Sequence, residues 1–410
     1  MNKVYNIFFL FIIISCSEET ILYDEIENPS YTINTLTLPI DRDKVFQTQP
    51  SSLGTGTKLF FGNLKNSENL FSLVEFTLFG GTLPPIQLSD LLADSIQVDS
   101  ALVFFQTSDS LESSSTLSLY SILSDQDSIF SQDSTNYYNL SDYIDFENSA
   151  QLIDEISLES IEPDTVSGYD TLSFLFKDDN LDLIKEFFDT EQHPSRTMML
   201  KASSDLDQLL TIESKESGAS YSPRLKVWYK AIVDESTTID TFTTFFASRD
   251  LSIVKPPEIV LEDHDYISLN SASGNRSILR YDLSIIDSLE RNSIIKDANI
   301  TFSINSSNIT EGDDFYVAIA ALQDTVLNWD FTTFLPGIYE DESYEINSNF
   351  ITSRKIQDDK IIIPVQAFIQ LYKNDLIDNN GFQIWSAPAN SPFDKVRLNA
   401  EEIEVLYVKP

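Results

Sequence analysis

The residues that most often do chemistry are scarce here. Among 410 residues there are two histidines, His193 and His264, and one cysteine, Cys16. A Ser-His-Asp triad or an imidazole-held metal would have to use one of those two histidines. His193 lies in Glu-Gln-His-Pro-Ser-Arg, which reads as a turn, and His264 in the acidic loop Glu-Asp-His-Asp-Tyr. Carboxylates are abundant instead. One stretch offers Asp125, Asp127 and Asp133, and another offers Asp313 and Asp314. Calcium takes six to eight oxygens held by a shaped loop. Neither stretch has the Asp-x-Asp-x-Asp-Gly spacing with a distant Glu, so both read as solvated acidic loops. No metal or other cofactor is expected. Asp125, Asp127 and Asp133 are the residues that would serve if calcium bound.

The sequence carries no Gly-rich phosphate loop, no Gly-x-Ser-x-Gly elbow and no His-Glu-x-x-His. Two carboxylates could in principle hydrolyse a glycoside, but with 65 acidic residues some close pair is inevitable and identifies nothing. The expectation is a protein that is not an enzyme. Its balance of 65 acidic to 26 basic residues, a formal net charge of −39, repels phosphate backbones and excludes nucleic acid as a partner.

Aromatic side chains remain, because a flat exposed ring is a surface for stacking. Trp329, in Leu-Gln-Asp-Thr-Val-Leu-Asn-Trp-Asp-Phe, falls near a strand end, and Tyr137, Tyr138 and Tyr143 occupy the corresponding loop region of the first half. These four are the candidate ligand contacts. Trp228 and Trp385 fall inside predicted strands and read as core.

The elements that must position these residues follow from internal repetition. Residues 70–78, 94–105, 117–125, 170–188, 197–205 and 222–229 have counterparts, in the same order, at 276–284, 292–303, 316–324, 359–377, 381–389 and 400–407. Matches in a conserved order imply two homologous domains, expected over 31–231 and 237–410. Most blocks are short apolar or alternating runs bounded by Asp, Ser and Asn, the pattern of strands. One block differs: Leu181, Ile184, Phe187 and Phe188 recur at helical spacing, so each copy should carry a short helix. Many strands joined by turn-rich loops indicate an all-β, antiparallel β-sandwich in each copy.

Two resemblances add to this reading. The eight apolar residues from Ile7 to Ile14 are too few to span a bilayer, which takes about 20, but suit the apolar region of a signal peptide. Behind them, Ile13-Ile14-Ser15-Cys16 resembles a bacterial lipobox. That resemblance implies a signal peptide over 1–15, diacylglycerol on the Cys16 thiol, and an acidic tether over 16–30. The acyl chains would anchor the protein to a membrane without spanning it, at about 0.8 kcal/mol per buried methylene. Ser17-Glu18-Glu19 is similar to the acidic export signal of surface lipoproteins in Bacteroidota-like bacteria, which implies the outer membrane and its external face.

The runs Asn-Arg-Ser-Ile-Leu-Arg-Tyr-Asp (275–282), Ile-Ile-Lys-Asp-Ala-Asn-Ile-Thr-Phe (294–302) and Ser-Pro-Arg-Leu-Lys-Val-Trp-Tyr (222–229) resemble a DNRLRE-type domain. The resemblance implies two tandem jelly-roll-like sandwiches related to carbohydrate-binding modules. The implied function is non-catalytic binding of a glycan, the alternative being an assembly lipoprotein that docks onto another envelope protein. Cys16→Ser is expected to abolish incorporation of labelled palmitate and to move the protein from the membrane pellet to the soluble fraction; unchanged labelling would refute the lipid anchor.

Overall fold

The computed structural model describes residues 32–47, 53–64, 69–77, 96–111, 114–122, 124, 129–140, 149–161, 167–177, 181, 184, 196–234, 237–255, 266–310, 312–323 and 346–409. Cys16 and its flanks, both histidines, Asp125, Asp127, Tyr143 and Trp329 lie outside the described residues.

Alternation of side chains decides which segments become strands, because a pleated strand sends successive residues to opposite faces. Two strands begin the described chain, β1 (Thr32–Leu38) and β2 (Ile40–Gln47). The first half continues with β3 (Lys58–Asn63), β4 (Asn69–Phe76), β5 (Ile96–Thr107), β6 (Thr116–Ile122) and β7 (Ala150–Ser157). It then runs through β8 (Asp170–Phe176), β9 (Thr197–Ala202), β10 (Leu209–Glu213), β11 (Arg224–Asp234) and the long β12 (Thr237–Lys255). The second half holds β13 (Ile267–Leu269), β14 (Asn275–Tyr281), β15 (Ile294–Asn308), β16 (Tyr316–Leu322) and β17 (Ile346–Lys355). It closes with β18 (Lys360–Pro364), β19 (Phe382–Ser386), β20 (Lys395–Ala400) and β21 (Ile403–Lys409).

The protein is all-β and its sheets are antiparallel. In the first half the strand order is β7-β6-β9-β4-β12-β11-β5-β8, with β3 paired to β4 and β10 to β3. In the second half one sheet runs β17-β16-β19-β14-β2 and the other β1-β21-β15-β20-β13, with β18 added to β15. The two halves share much of this order, although β10 pairs with β3 in the first while β20 joins both β13 and β15 in the second. Each sequence block that repeats becomes a strand in the equivalent place: β4 and β14, β5 and β15, β6 and β16, β8 and β18, β9 and β19, β11 and β21.

The sequence boundary at 231–237, however, is not where the pairing divides. β1 pairs with β21 from Thr32↔Lys409 to Leu38↔Ile403, and β2 pairs with β14 from Ile40↔Tyr281 to Gln47↔Asn275. The N-terminal strands therefore complete the second unit. β12 pairs with β11 over Thr237–Phe246 and with β4 over Ala247–Lys255, so it completes the first. Residues 32–47 and 237–255 are thus exchanged relative to the expected tandem division. The first expected domain loses its opening strands to the second, because register and buried side chains, rather than chain order, select the edge each segment covers.

Packing confirms that these segments are integral. Phe245 of β12 is fully buried among Leu59, Phe61, Phe76, Phe105, Leu172, Phe174, Leu225 and Val227. Leu38 of β1 is fully buried with Tyr281, Ile300, Phe302, Ile361 and Val405 of the second unit. Each such apolar side chain contributes about 1.5–3 kcal/mol on burial. Phe105 and Phe174 meet edge to face, 5.9 Å between centroids at 79°, an arrangement the ring quadrupole favours.

The expected helix of the second copy is Gln366–Lys373, which buries Phe368 and Ile369. Gln366 and Gln370 fasten it to β15: Gln366 Nε2 donates to the Ile295 carbonyl at 2.9 Å, and the Ile295 amide donates to Gln370 Oε1 at 2.8 Å. In the first copy, Leu181 and Ile184 are helical, and Ile184 is fully buried; Phe187 and Phe188 lie outside the described residues. The two units touch through a small apolar cluster of Leu53, Phe60, Leu70, Leu209 and Val254 with Ala272 and Phe393. Phe60 and Phe393 lie 4.9 Å apart there.

Of the carboxylates buried in this frame, Glu75, Asp154, Glu213, Asp250 and Asp394 among them, Asp250 is the most enclosed. Asp250 of β12 is fully buried. Its Oδ2 accepts from the Lys215 amide at 2.6 Å and its Oδ1 from Gln132 Nε2 at 3.4 Å. Burial pushes its pKa up to about 7, against the opposing pull of the Lys215 amide. A carboxyl raised in the folded state binds its proton more tightly there than when unfolded, so this group's contribution falls as pH rises from about 4 to about 7 and is level above that. Asp250→Asn mimics the protonated form. Urea denaturation should show the wild type losing stability relative to that variant across pH 4–7, with a constant difference from pH 7 to 9.

Candidate ligand-binding face

β11 alternates strictly. Leu225, Val227 and Tyr229 point into the first core, so Arg224, Lys226, Trp228 and Lys230 occupy the opposite face. The same parity holds on β8, where Leu172, Phe174 and Phe176 are buried and Thr171, Ser173 and Leu175 are exposed. On β5, Ala101, Val103 and Phe105 are buried while Leu102, Phe104 and Gln106 are half-buried on the outward side. Register then fixes the neighbours. Arg224 stands between Phe104 and Phe246, Lys226 between Leu102 and Thr244, and Trp228 between Ser100 and Phe242.

The result is a sheet surface carrying aromatic rings beside basic groups. Lys226 Nζ lies 4.6 Å from the centre of the Trp228 ring and 3.9 Å from that of Phe242. The two rings are 6.4 Å apart and inclined at 47°, and Phe242 is 46% exposed. Next to them, Phe104, Gln106, Thr171, Arg224, Lys226 and Thr244 line a depression of about 370 Å³. Gln106 Nε2 donates to Thr171 Oγ1 at 3.2 Å across its wall.

The charges are unusual for this chain. Lys230 is paired with Asp99 at 3.2 Å. Among the described residues, Arg224 and Lys226 have no carboxylate within ion-pair distance, and Arg224 Nε is buried with no hydrogen-bond partner. A buried donor left without an acceptor costs about 1–3 kcal/mol. This surface can therefore stack a flat apolar face on its rings and pair an anionic group with its two cations.

Of the residues chosen from sequence alone, the described ones, Tyr137, Tyr138 and Asp133, lie elsewhere. Tyr137 and Tyr138 belong to the helical turn Tyr137–Leu140. Tyr137 is half-buried against Leu73, Ile122, Phe130, Met199 and Leu251, with Lys255 Nζ 5.7 Å from its ring centre. It walls a satellite core rather than offering an open ring. Asp133 is exposed and lines a separate depression of about 510 Å³ together with Ser131, Thr135, Asn139 and Arg249. Among the described residues no three His, Cys, Asp or Glu side chains converge as a metal would need. Trp228 and Trp385, expected in the core, are both half-buried. Trp228 faces outward because the inward positions of β11 belong to the aliphatic residues on either side. The signal that could have found this face was the Arg-Leu-Lys-Val-Trp-Tyr-Lys alternation itself, in which each second residue is basic or tryptophan.

No protein-family model matches the chain, and no curated protein matches it. The chemistry of this face therefore stands on its geometry.

The two sides of β11 should respond differently to truncation. Leu225→Ala is expected to lower unfolding free energy by about 2–5 kcal/mol. Lys226→Ala, which loses a half-buried cation-ring contact, should cost about 1 kcal/mol. Urea titrations of both variants measure the contrast.

Proposed function

We propose that the protein is a lipid-anchored envelope protein of two jelly-roll-like, DNRLRE-type modules, and that the outer face of β8, β5, β11 and β12 binds a glycan bearing acidic groups. The observation that carries this reading is the pair of cations, Arg224 and Lys226, which have no carboxylate partner among the described residues and stand among Phe104, Trp228 and Phe242. A sugar ring presents a flat C–H face to an aromatic ring. A uronate carboxylate or a sulfate accepts from guanidinium and ammonium groups in charge-assisted bonds, which are about twice as strong as neutral ones.

The chain's net charge does not forbid such a ligand. At physiological salt the Debye length is about 8 Å, so nearby cations outweigh distant acids. Recognition by a preformed sheet face needs no catalytic group and fits a protein whose repeats mainly build cores. The lipidated Cys16 would hold this face at the bacterial outer membrane, where extracellular polymers are encountered.

Affinity electrophoresis and calorimetry against polyuronate, sulfated and neutral polysaccharides test the reading. Binding to acidic polymers is expected, with Arg224→Met plus Lys226→Met weakening it at least about tenfold, the factor expected for losing one charge-assisted contact of about 1.4 kcal/mol. Trp228→Ala should weaken it as well. Folded protein that binds none of these polymers, yet co-purifies with another envelope protein through this face, would replace glycan binding with docking.

A further inference from the structure

The exchanged strands have a consequence for how one copy of this chain meets another. Residues 32–37, Thr-Ile-Asn-Thr-Leu-Thr, are nearly repeated at 238–243, Thr-Ile-Asp-Thr-Phe-Thr. Both segments do the same job. Each starts on the closing strand of a unit, β21 or β11, then passes to the opposite layer and pairs with β14 or β4.

Their attachment to the chain differs. β12 is joined to its partner β11 through residues 235 and 236 alone. β1 and β2 are joined to the second unit only through the whole first unit, and their immediate connection, residues 48–57, leads to β3 of the other unit. Their hold on the second unit is therefore entirely noncovalent. It includes seven residues in register with β21, seven in register with β14, the buried Leu38, the Asp282 amide donating to the Pro39 carbonyl, and the Arg280–Asp41 ion pair at 2.5 Å.

We propose that the second unit is a strand-acceptor site whose partner is a second copy of this chain, the Thr32–Gln47 segment of one molecule filling the β21 and β14 edges of another. The fit is guaranteed, because the incoming segment is chemically identical to the one it replaces. Every hydrogen bond, the Leu38 pocket and the Asp41 pairing are reproduced across the two chains. What differs is only whether the segment is tethered. The first unit packs on the second, and residues 48–57 form the short connection to this segment. A short linker corresponds to an effective concentration on the order of millimolar, so the closed monomer prevails in dilute solution. At comparable protein concentrations, or when chains fold side by side, exchange becomes competitive. A vacated site would leave β21 and β14 as open edges, the feature that templates pairing with another chain. Two molecules can exchange reciprocally, or each can donate onward to make a row. This inference is independent of the glycan reading.

The test uses the chain from residue 17 onward, without Cys16, so that introduced cysteines are the only thiols. Thr37 and Glu404 are direct partners in the β1–β21 register, and both are exposed. One chain carries Thr37→Cys and a second, distinguishable by mass, carries Glu404→Cys. They are unfolded together, refolded at about 0.5 mM, near the effective concentration above, and oxidised. A disulfide-linked heterodimer of native melting temperature is expected, at least fivefold more abundant than after refolding at about 1 μM, far below that concentration. The double variant in a single chain should give an internal crosslink when dilute, which verifies that the pair is correctly placed. An internal crosslink in the double variant with no heterodimer from the mixed chains at either concentration would overturn the proposal.

Discussion

A single constraint organises this protein: two facing antiparallel layers must be closed by a strand that leaves one layer and enters the other. β12 does this within one strand of 19 residues, paired to β11 through Phe246 and to β4 from Ala247. β1 and β2 do it as two strands, divided at Pro39, whose missing amide cannot serve a ladder. Without such a segment, each unit would expose β4 or β14 in one layer and β11 or β21 in the other. Unpaired backbone groups along such edges are both unsatisfied and prone to pair with other chains. The cores depend on the same closure, since Phe245 and Leu38 enter them from these crossing segments.

The aromatic and basic face follows from that closure. β11 becomes an interior strand only because β12 covers one side of it while β5 covers the other. An interior strand holds its outward side chains at fixed spacing, so Arg224, Lys226 and Trp228 stand in a row with aromatic neighbours on both flanks. Phe242 comes from the crossing segment itself. In a chain with 65 acids and 26 bases, two adjacent cations with no carboxylate within ion-pair distance among the described residues stand out from the acidic surface.

Legibility varied with the range of the interaction concerned. The repeated blocks were readable because each is local: Leu172, Phe174 and Phe176 announce the inward face of β8 by alternation alone. The helix Gln366–Lys373 was readable for the same reason, from apolar spacing within one turn. Exposure is not a local property. Tyr137 sits in a polar stretch yet packs on Leu73 and Leu251, residues distant in sequence. Trp228 shows the converse. A tryptophan in a strand is usually core, but the parity of β11 was already committed by Leu225 and Val227.

By itself, the sequence determined the strands, their recurrence in two similar sets, the apolar run ahead of Cys16 and the acidity of the chain. Those properties are written in neighbouring residues, whose alternation and composition act over one or two turns of chain. Only the tertiary structure decided which set each crossing segment completes. Residues 32–37 and 238–243 are too alike for local preference to distinguish their destinations. The choice lies in long-range register and in where Leu38 and Phe245 find a buried site, and the same register assembled the aromatic and basic face from strands far apart in the chain.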